Sequence, residues 1–156
     1  ALPILLNRFN FSQAIIMVQL EVAERLNAVP GSKQYGSLSV AAQYFTETKM
    51  LFKVSRTVFF PAPEVDSAVL RLTRRSRPAV EVEDEETFFK VVRAAFGQRR
   101  KTLLNSLAGA GLGPDKAAWQ RILAACGLTP SRRGETLTLA EFASLTKAYL
   151  ASQTAS

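Results

Sequence analysis

The stretch Thr57-Val-Phe-Phe-Pro-Ala-Pro-Glu-Val-Asp-Ser67, running directly into Ala68-Val-Leu-Arg-Leu72, decides how this chain is read. Pro61 and Pro63 each hold φ at about −65° and push the residue before them into extended geometry, so the segment is a stiff loop. After it, Ala68, Leu70 and Leu72 fall on one face and Val69 and Arg71 on the other, the period of a strand. Before it, Met50-Leu-Phe-Lys-Val54 reads as a second strand. The loop therefore connects two strands. Its two aromatic residues, Phe59 and Phe60, are either core rings beneath the loop or rings that a rigid loop presents for stacking against a flat base.

Toward the N-terminus, Ala14-Ile-Ile-Met-Val-Gln19 is apolar without alternation, which predicts a central strand buried on both faces of a parallel sheet. Leu2 to Phe11 has helical spacing, with Pro3 suited to a first turn. Glu21 to Ala28 is a predicted helix stopped by Pro30-Gly31, and Ser37 to Phe45 another, with Leu38, Ala41, Ala42 and Phe45 on one face. Strand, helix and strand in succession predict an α/β sheet, which places ligands at strand ends. The polar loop Gly31-Ser-Lys-Gln-Tyr-Gly36 offers Lys33 and Tyr35 to a phosphate or ribose, or is solvated punctuation.

The composition changes after Leu72. Arg74-Arg-Ser-Arg-Pro78 is basic, and Glu81, Glu83, Asp84, Glu85 and Glu86 follow as the acidic start of a helix. A domain boundary is expected here, dividing residues 1–76 from 77–156. Phe88, Val91, Val92, Ala95 and Phe96 make a buried stripe on a helix predicted over Thr87–Arg100. It ends in Gln98-Arg-Arg-Lys101, whose cations either answer the helix dipole or clamp phosphates. Thr102–Leu107 and Asp115–Cys126 are further helices, Trp119 being a core residue of the second. Thr129-Pro130 opens a predicted short helix carrying Arg132 and Arg133, a second candidate phosphate contact. Thr138 and Glu141 form a capping box for a last helix packed through Leu139, Phe142, Leu145 and Tyr149, with Gln153–Ser156 frayed.

Lysine and arginine number 20 against 13 acidic residues, a formal charge of +7, so anionic partners are favoured and nucleic acid comes first. One cysteine, Cys126, in an apolar helical run, fits a buried thiol and a reducing cytosol. With no histidine and no cysteine cluster, a zinc or iron site and His-based nucleophilic catalysis are not expected. The apolar runs are too short to span a bilayer and no secretory pattern opens the chain, so a soluble, cytoplasmic protein without membrane or metal partners is expected.

Four motifs converge. Phe59-Phe-Pro-Ala-Pro-Glu-Val-Asp-Ser-Ala68, Gln19-Leu-Glu-Val-Ala-Glu-Arg-Leu26, Tyr35-Gly-Ser-Leu-Ser-Val-Ala-Ala-Gln-Tyr44 and Arg93-Ala-Ala-Phe-Gly-Gln-Arg-Arg-Lys-Thr102 resemble, in order and spacing, the ribosomal RNA adenine N6,N6-dimethyltransferase family of the small subunit. The resemblance implies an α/β plus all-α architecture: the trailing half of a Rossmann-like methyltransferase sheet in residues 1–76, then a helical rRNA-binding domain in 77–156. It implies transfer of two methyl groups from S-adenosylmethionine to N6 of adenines in small-subunit rRNA. It also implies that Phe59 lines the pocket of the flipped adenine, and that Arg99, Arg100 and Lys101 contact rRNA. Lys33, Arg132 and Arg133 join them as candidates by charge.

No Gly-rich cofactor loop follows a strand here, and the family's Asn-Leu-Pro-Tyr motif is expected upstream of Ala1, because Leu2-Pro-Ile-Leu-Leu6 resembles the helix after it. The chain is therefore expected to hold no catalytic residue and no cofactor of its own, S-adenosylmethionine belonging to the intact enzyme. The alternatives are a macrolide-resistance type methyltransferase acting on large-subunit rRNA, and a non-catalytic RNA- or ribosome-binding relative.

Overall fold

The computed structural model describes residues 10–155; the helix expected over Leu2–Phe11 lies outside them, except for Asn10 and Phe11, which are not helical. The chain forms two compact units. The first holds residues up to Val29 together with Gln34–Ala79, and the second holds Pro30–Lys33 together with Val80–Ser156.

In the first unit, strand β1 (Gln13–Gln19) runs straight into helix α1 (Leu20–Leu26), and helix α2 (Ser37–Phe45) straight into strand β2 (Thr46–Val54). Strand β3 (Ser67–Arg74) returns between the other two, antiparallel to both, so the order is β1-β3-β2 and the outer strands run parallel to each other. The predicted alternation of β3 is present: Ala68, Leu70 and Leu72 are fully buried while Val69 and Arg71 are not. Opposite them stand Val18, Ile16 and Ala14 of β1, and on the other side Met50 and Thr48 of β2. Ala23, Leu26 and Ala42 of the two helices close this face into a core. A bulge between Met50 and Phe52 shifts the register of β2.

The doubly buried strand is not found. Within the described residues β1 is an edge strand in an antiparallel pair, and Ile15 and Met17 are 57% and 54% exposed. The pleat sends alternate side chains to opposite faces whatever their polarity, and α1 and α2 cover only one of those faces. Two side chains fasten the helices: Ser39 Oγ donates to Arg25 O, and Gln43 Nε2 donates to Ala28 O at 2.7 Å.

The second unit is helical. Helix α3 (Glu85–Phe96) starts at Asp84, whose carboxylate accepts from Thr87 N at 3.3 Å and from Thr87 Oγ1 at 2.9 Å; these bonds hold its pKa below the usual range. The helix ends four residues earlier than its spacing predicts, at Gly97, so Gln98–Lys101 forms a turn beyond it. Helices α4 (Leu103–Ala108), α5 (Lys116–Ala125) and α6 (Leu139–Thr154) start at Thr102, Asp115 and Thr138, each accepting from the backbone N–H three residues on. The Thr138–Glu141 capping box is complete, and α6 stays helical through Gln153 and Thr154, where fraying was expected.

Phe88, Leu103, Leu107, Trp119, Leu123, Phe142 and Leu145 are fully buried and make the core. Trp119 stacks on Tyr149 with ring centroids 5.3 Å apart, and Tyr149 OH donates to Leu112 O at 2.9 Å. Cys126, expected buried, is half-buried; burial still pushes its thiol pKa up. In place of a helix at Thr129–Pro130, a turn leads into a 3-10 segment, Gly134–Thr136. Gly134 is required there for a close approach: a Cβ would lie 2.5 Å from Ala95 O.

Candidate functional site

In the first unit the Phe-Pro loop is fastened at its base. Asp66 supplies both ties: its Oδ1 accepts from Arg56 N at 2.9 Å, and its backbone O accepts from Leu20 N at 3.0 Å. Ser55 Oγ accepts from Thr57 N at 3.3 Å and opens a 3-10 turn over Arg56–Val58. These bonds occupy Asp66 as a loop tie. The Phe60–Pro61 peptide bond is cis. The aromatic pair divides: Phe59 is half-buried, and Phe60 is wholly exposed, at 102% relative accessibility. A half-buried ring is anchored on one side and open on the other, the condition for stacking a base without first ordering the ring. Phe60 is the more open of the two.

In the second unit, cations that stand far apart in sequence come together. Arg99 Nη2 donates to Lys33 O at 2.9 Å, which joins the Pro30–Lys33 loop to the basic turn. Gly31 N donates to Glu135 O at 2.7 Å, and Leu103 N donates to Arg132 O at 2.6 Å. Three segments, 30–33, 98–103 and 130–135, are thus held side by side by backbone hydrogen bonds and the Arg99 guanidinium. Lys33, Arg99, Arg100, Lys101 and Arg133 are all exposed along them. One Arg99 N–H is spent on this tie, and the exposed side chains reach outward from it. Tyr35, the other polar residue of the Gly31–Gly36 loop, is fully buried and lies in the first unit, so it does not face a ribose.

Arg132 behaves differently from Arg133. Its guanidinium makes a forked pair with Glu141, Nη2 to Oε1 at 3.1 Å and Nη1 to Oε2, and Nη2 also donates to Thr136 O at 2.8 Å. The same Glu141 accepts from Thr138 N at 3.1 Å, so Arg132 ties the 130–136 turn to the start of α6. Arg132 donation, followed by the Thr138 N–H, holds the Glu141 carboxyl below its usual range. Arg133 faces out, its side chain 54% exposed and 4.0 Å from Glu135 at the nearest approach.

A nucleoside cofactor seated at a strand-to-helix turn needs a close approach of the backbone. The glycines with positive φ are Gly31, Gly111, Gly113 and Gly127, all in turns outside the strands. Among the described residues no glycine-rich turn follows a strand, so none gives the close backbone approach that a methyl donor needs at a strand-to-helix turn.

The sequence pattern of the family described as ribosomal RNA adenine dimethylase matches residues 3–145. The chain is 62% identical over 149 residues to the ribosomal RNA small subunit methyltransferase A of Pelotomaculum thermopropionicum, covering 96% of this chain and 50% of that protein. It is 55% identical over 144 residues to the protein of the same name from Moorella thermoacetica, covering 92% and 49%. It thus spans about half the length of the curated relatives it matches. Among solved structures, a dimethyladenosine transferase from Plasmodium falciparum superimposes with a TM-score of 0.80 at 21% identity, over 97% of this chain and 62% of that one. The 23S rRNA methyltransferase ErmE gives 0.61 at 23% identity, over 94% and 58%. These two likenesses speak for the fold: part of a Rossmann-like methyltransferase sheet followed by a helical unit. With four ordered motifs and a family match across most of its length, this chain belongs to the ribosomal RNA adenine dimethylase family.

Proposed function

We propose that this chain is the rRNA-recognition part of an S-adenosylmethionine-dependent adenine N6,N6-dimethyltransferase that acts on small-subunit rRNA in the cytoplasm. Residues 1–76 contribute the sheet and the Phe-Pro loop of the catalytic domain, and residues 77–156 the helical rRNA-binding domain. Phe59 stacks the target adenine, recovering part of the stacking lost when the base leaves its helix, roughly 1–3 kcal/mol per base. Lys33, Arg99, Arg100, Lys101 and Arg133 hold phosphates of the rRNA, the arginines through their forks and the lysines as point charges. Arg132 keeps the third cationic segment in place. S-adenosylmethionine is the methyl donor of the intact enzyme.

The observation that carries this reading is the assembly of exposed cations from three distant segments by backbone hydrogen bonds and by the Arg99 guanidinium on Lys33 O. A surface that was basic by composition alone would not need them tied together. The test is binding of the chain to a hairpin from the 3′ end of small-subunit rRNA across a salt series, with a large-subunit hairpin as competitor. The reading predicts salt-sensitive binding that prefers the small-subunit hairpin. Equal affinity for the two hairpins, or no binding, would overturn it.

A further inference from the structure

The stripe that buries α3 leaves Lys90 and Arg93 on another part of its surface, three residues apart and both exposed. Lys90 Nζ lies 3.5 Å from Glu86 Oε1, with side chains 52% and 79% exposed, a pair that water and salt screen heavily. Arg93 makes no ion pair among the described residues. These two cations border a groove of about 490 Å³ whose other walls include Gly97, Gln98, Ser106 and Gly109. No carboxylate lines it. Its remaining walls are Ala94, Ala110 and Leu112, so it offers no deep apolar pocket for a large peptide anchor, and the glycines leave backbone uncovered.

The groove is continuous with the basic turn. Gln98 is a wall of the groove and also the first residue of that turn: its backbone O accepts from Lys101 N at 3.0 Å and from Ser106 Oγ at 3.3 Å. A strand lying across Arg99, Arg100 and Lys101 therefore meets the groove at the next step of its backbone. We propose that this groove takes the sugar–phosphate backbone of the RNA beside the segment held by the basic turn, with Lys90 and Arg93 each neutralising one phosphate. The inference rests on the rRNA reading above and extends its contact surface onto α3.

The experiment replaces Lys90 and Arg93 together, as Lys90→Gln with Arg93→Gln, and follows binding of the small-subunit hairpin by anisotropy across a salt series. Both side chains are exposed and glutamine suits a helix, so the thermal midpoint of the variant is expected to match the parent. The slope of log K against log salt should fall by about 1.4–1.8, two phosphates at about 0.7–0.9 each. An Arg99→Ala, Arg100→Ala, Lys101→Ala variant is measured in parallel. If that variant flattens the slope and the Lys90/Arg93 variant does not, the groove assignment is wrong and the basic turn stands. If the parent chain shows no salt-dependent binding, both fall together.

Discussion

The two units treat their apolar residues in opposite ways. Every exposed large apolar side chain among the described residues belongs to the first unit: Ile15 and Met17 on β1, Leu51 and Phe52 on β2, Val58, Phe60 and Val65 in the Phe-Pro loop, and Val29 after α1. In the second unit Phe88, Trp119 and Phe142 are fully buried, and four helices close around them. The difference lies in sidedness. A helical stripe turns all its apolar residues toward one partner, whereas a strand that is apolar at every position shows half of them to each face.

The largest effect that sharpens this contrast is a pair of truncations. Phe142→Ala removes a fully buried ring and should cost about 3–5 kcal/mol, read by denaturant unfolding through the fluorescence of Trp119, the one tryptophan of the chain. Phe52→Ala, on a ring 56% exposed, should change the stability of the sheet unit by less than about 0.5 kcal/mol, read by far-UV circular dichroism. Comparable losses would break the contrast, because they would mean that the open face of the sheet is packed.

A smaller effect separates neighbours within the second unit. Arg132→Ala removes the fork to Glu141 and should cost about 1–2 kcal/mol by the Trp119 signal, while Arg133→Ala should leave that signal's midpoint unchanged. RNA binding should respond in reverse, Arg133→Ala lowering the salt slope by about 0.7–0.9. The pair also sets an acid dependence. Glu141 has a lowered pKa when folded, so its contribution is present above its unfolded pKa of about 4.3 and is lost as pH falls through the folded value. Glu141→Gln should therefore flatten the loss of stability below about pH 4.3. A variant that follows the parent curve would remove the carboxylate from this role.

Much of the fold is legible in the sequence where one pattern has one reading. Helix α2 has the predicted bounds, Ser37–Phe45, because its apolar face repeats cleanly and Pro30-Gly31 isolates it. The alternation of β3 and the Thr138–Glu141 box are likewise local signals with local causes. What escaped depends on distant partners. The sidedness of β1 is invisible in a run that is apolar throughout. The stop of α3 at Gly97 is hidden in the sequence because the cations after it are good helix formers. Arg132 and Arg133 look interchangeable until the fold brings Glu141 to one of them. Lys90 and Arg93 were within reach of the helical period, since they fall outside the stripe made by Phe88, Val91, Val92 and Ala95.

The central claim is that the turn after α3 binds rRNA through its charges, and the salt dependence of hairpin binding by the Arg99→Ala, Arg100→Ala, Lys101→Ala variant tests it most directly. The account predicts a slope flatter than the parent's by up to about three phosphate contacts. A slope equal to the parent's would contradict it and leave the three cations as charges that answer the end of a helix.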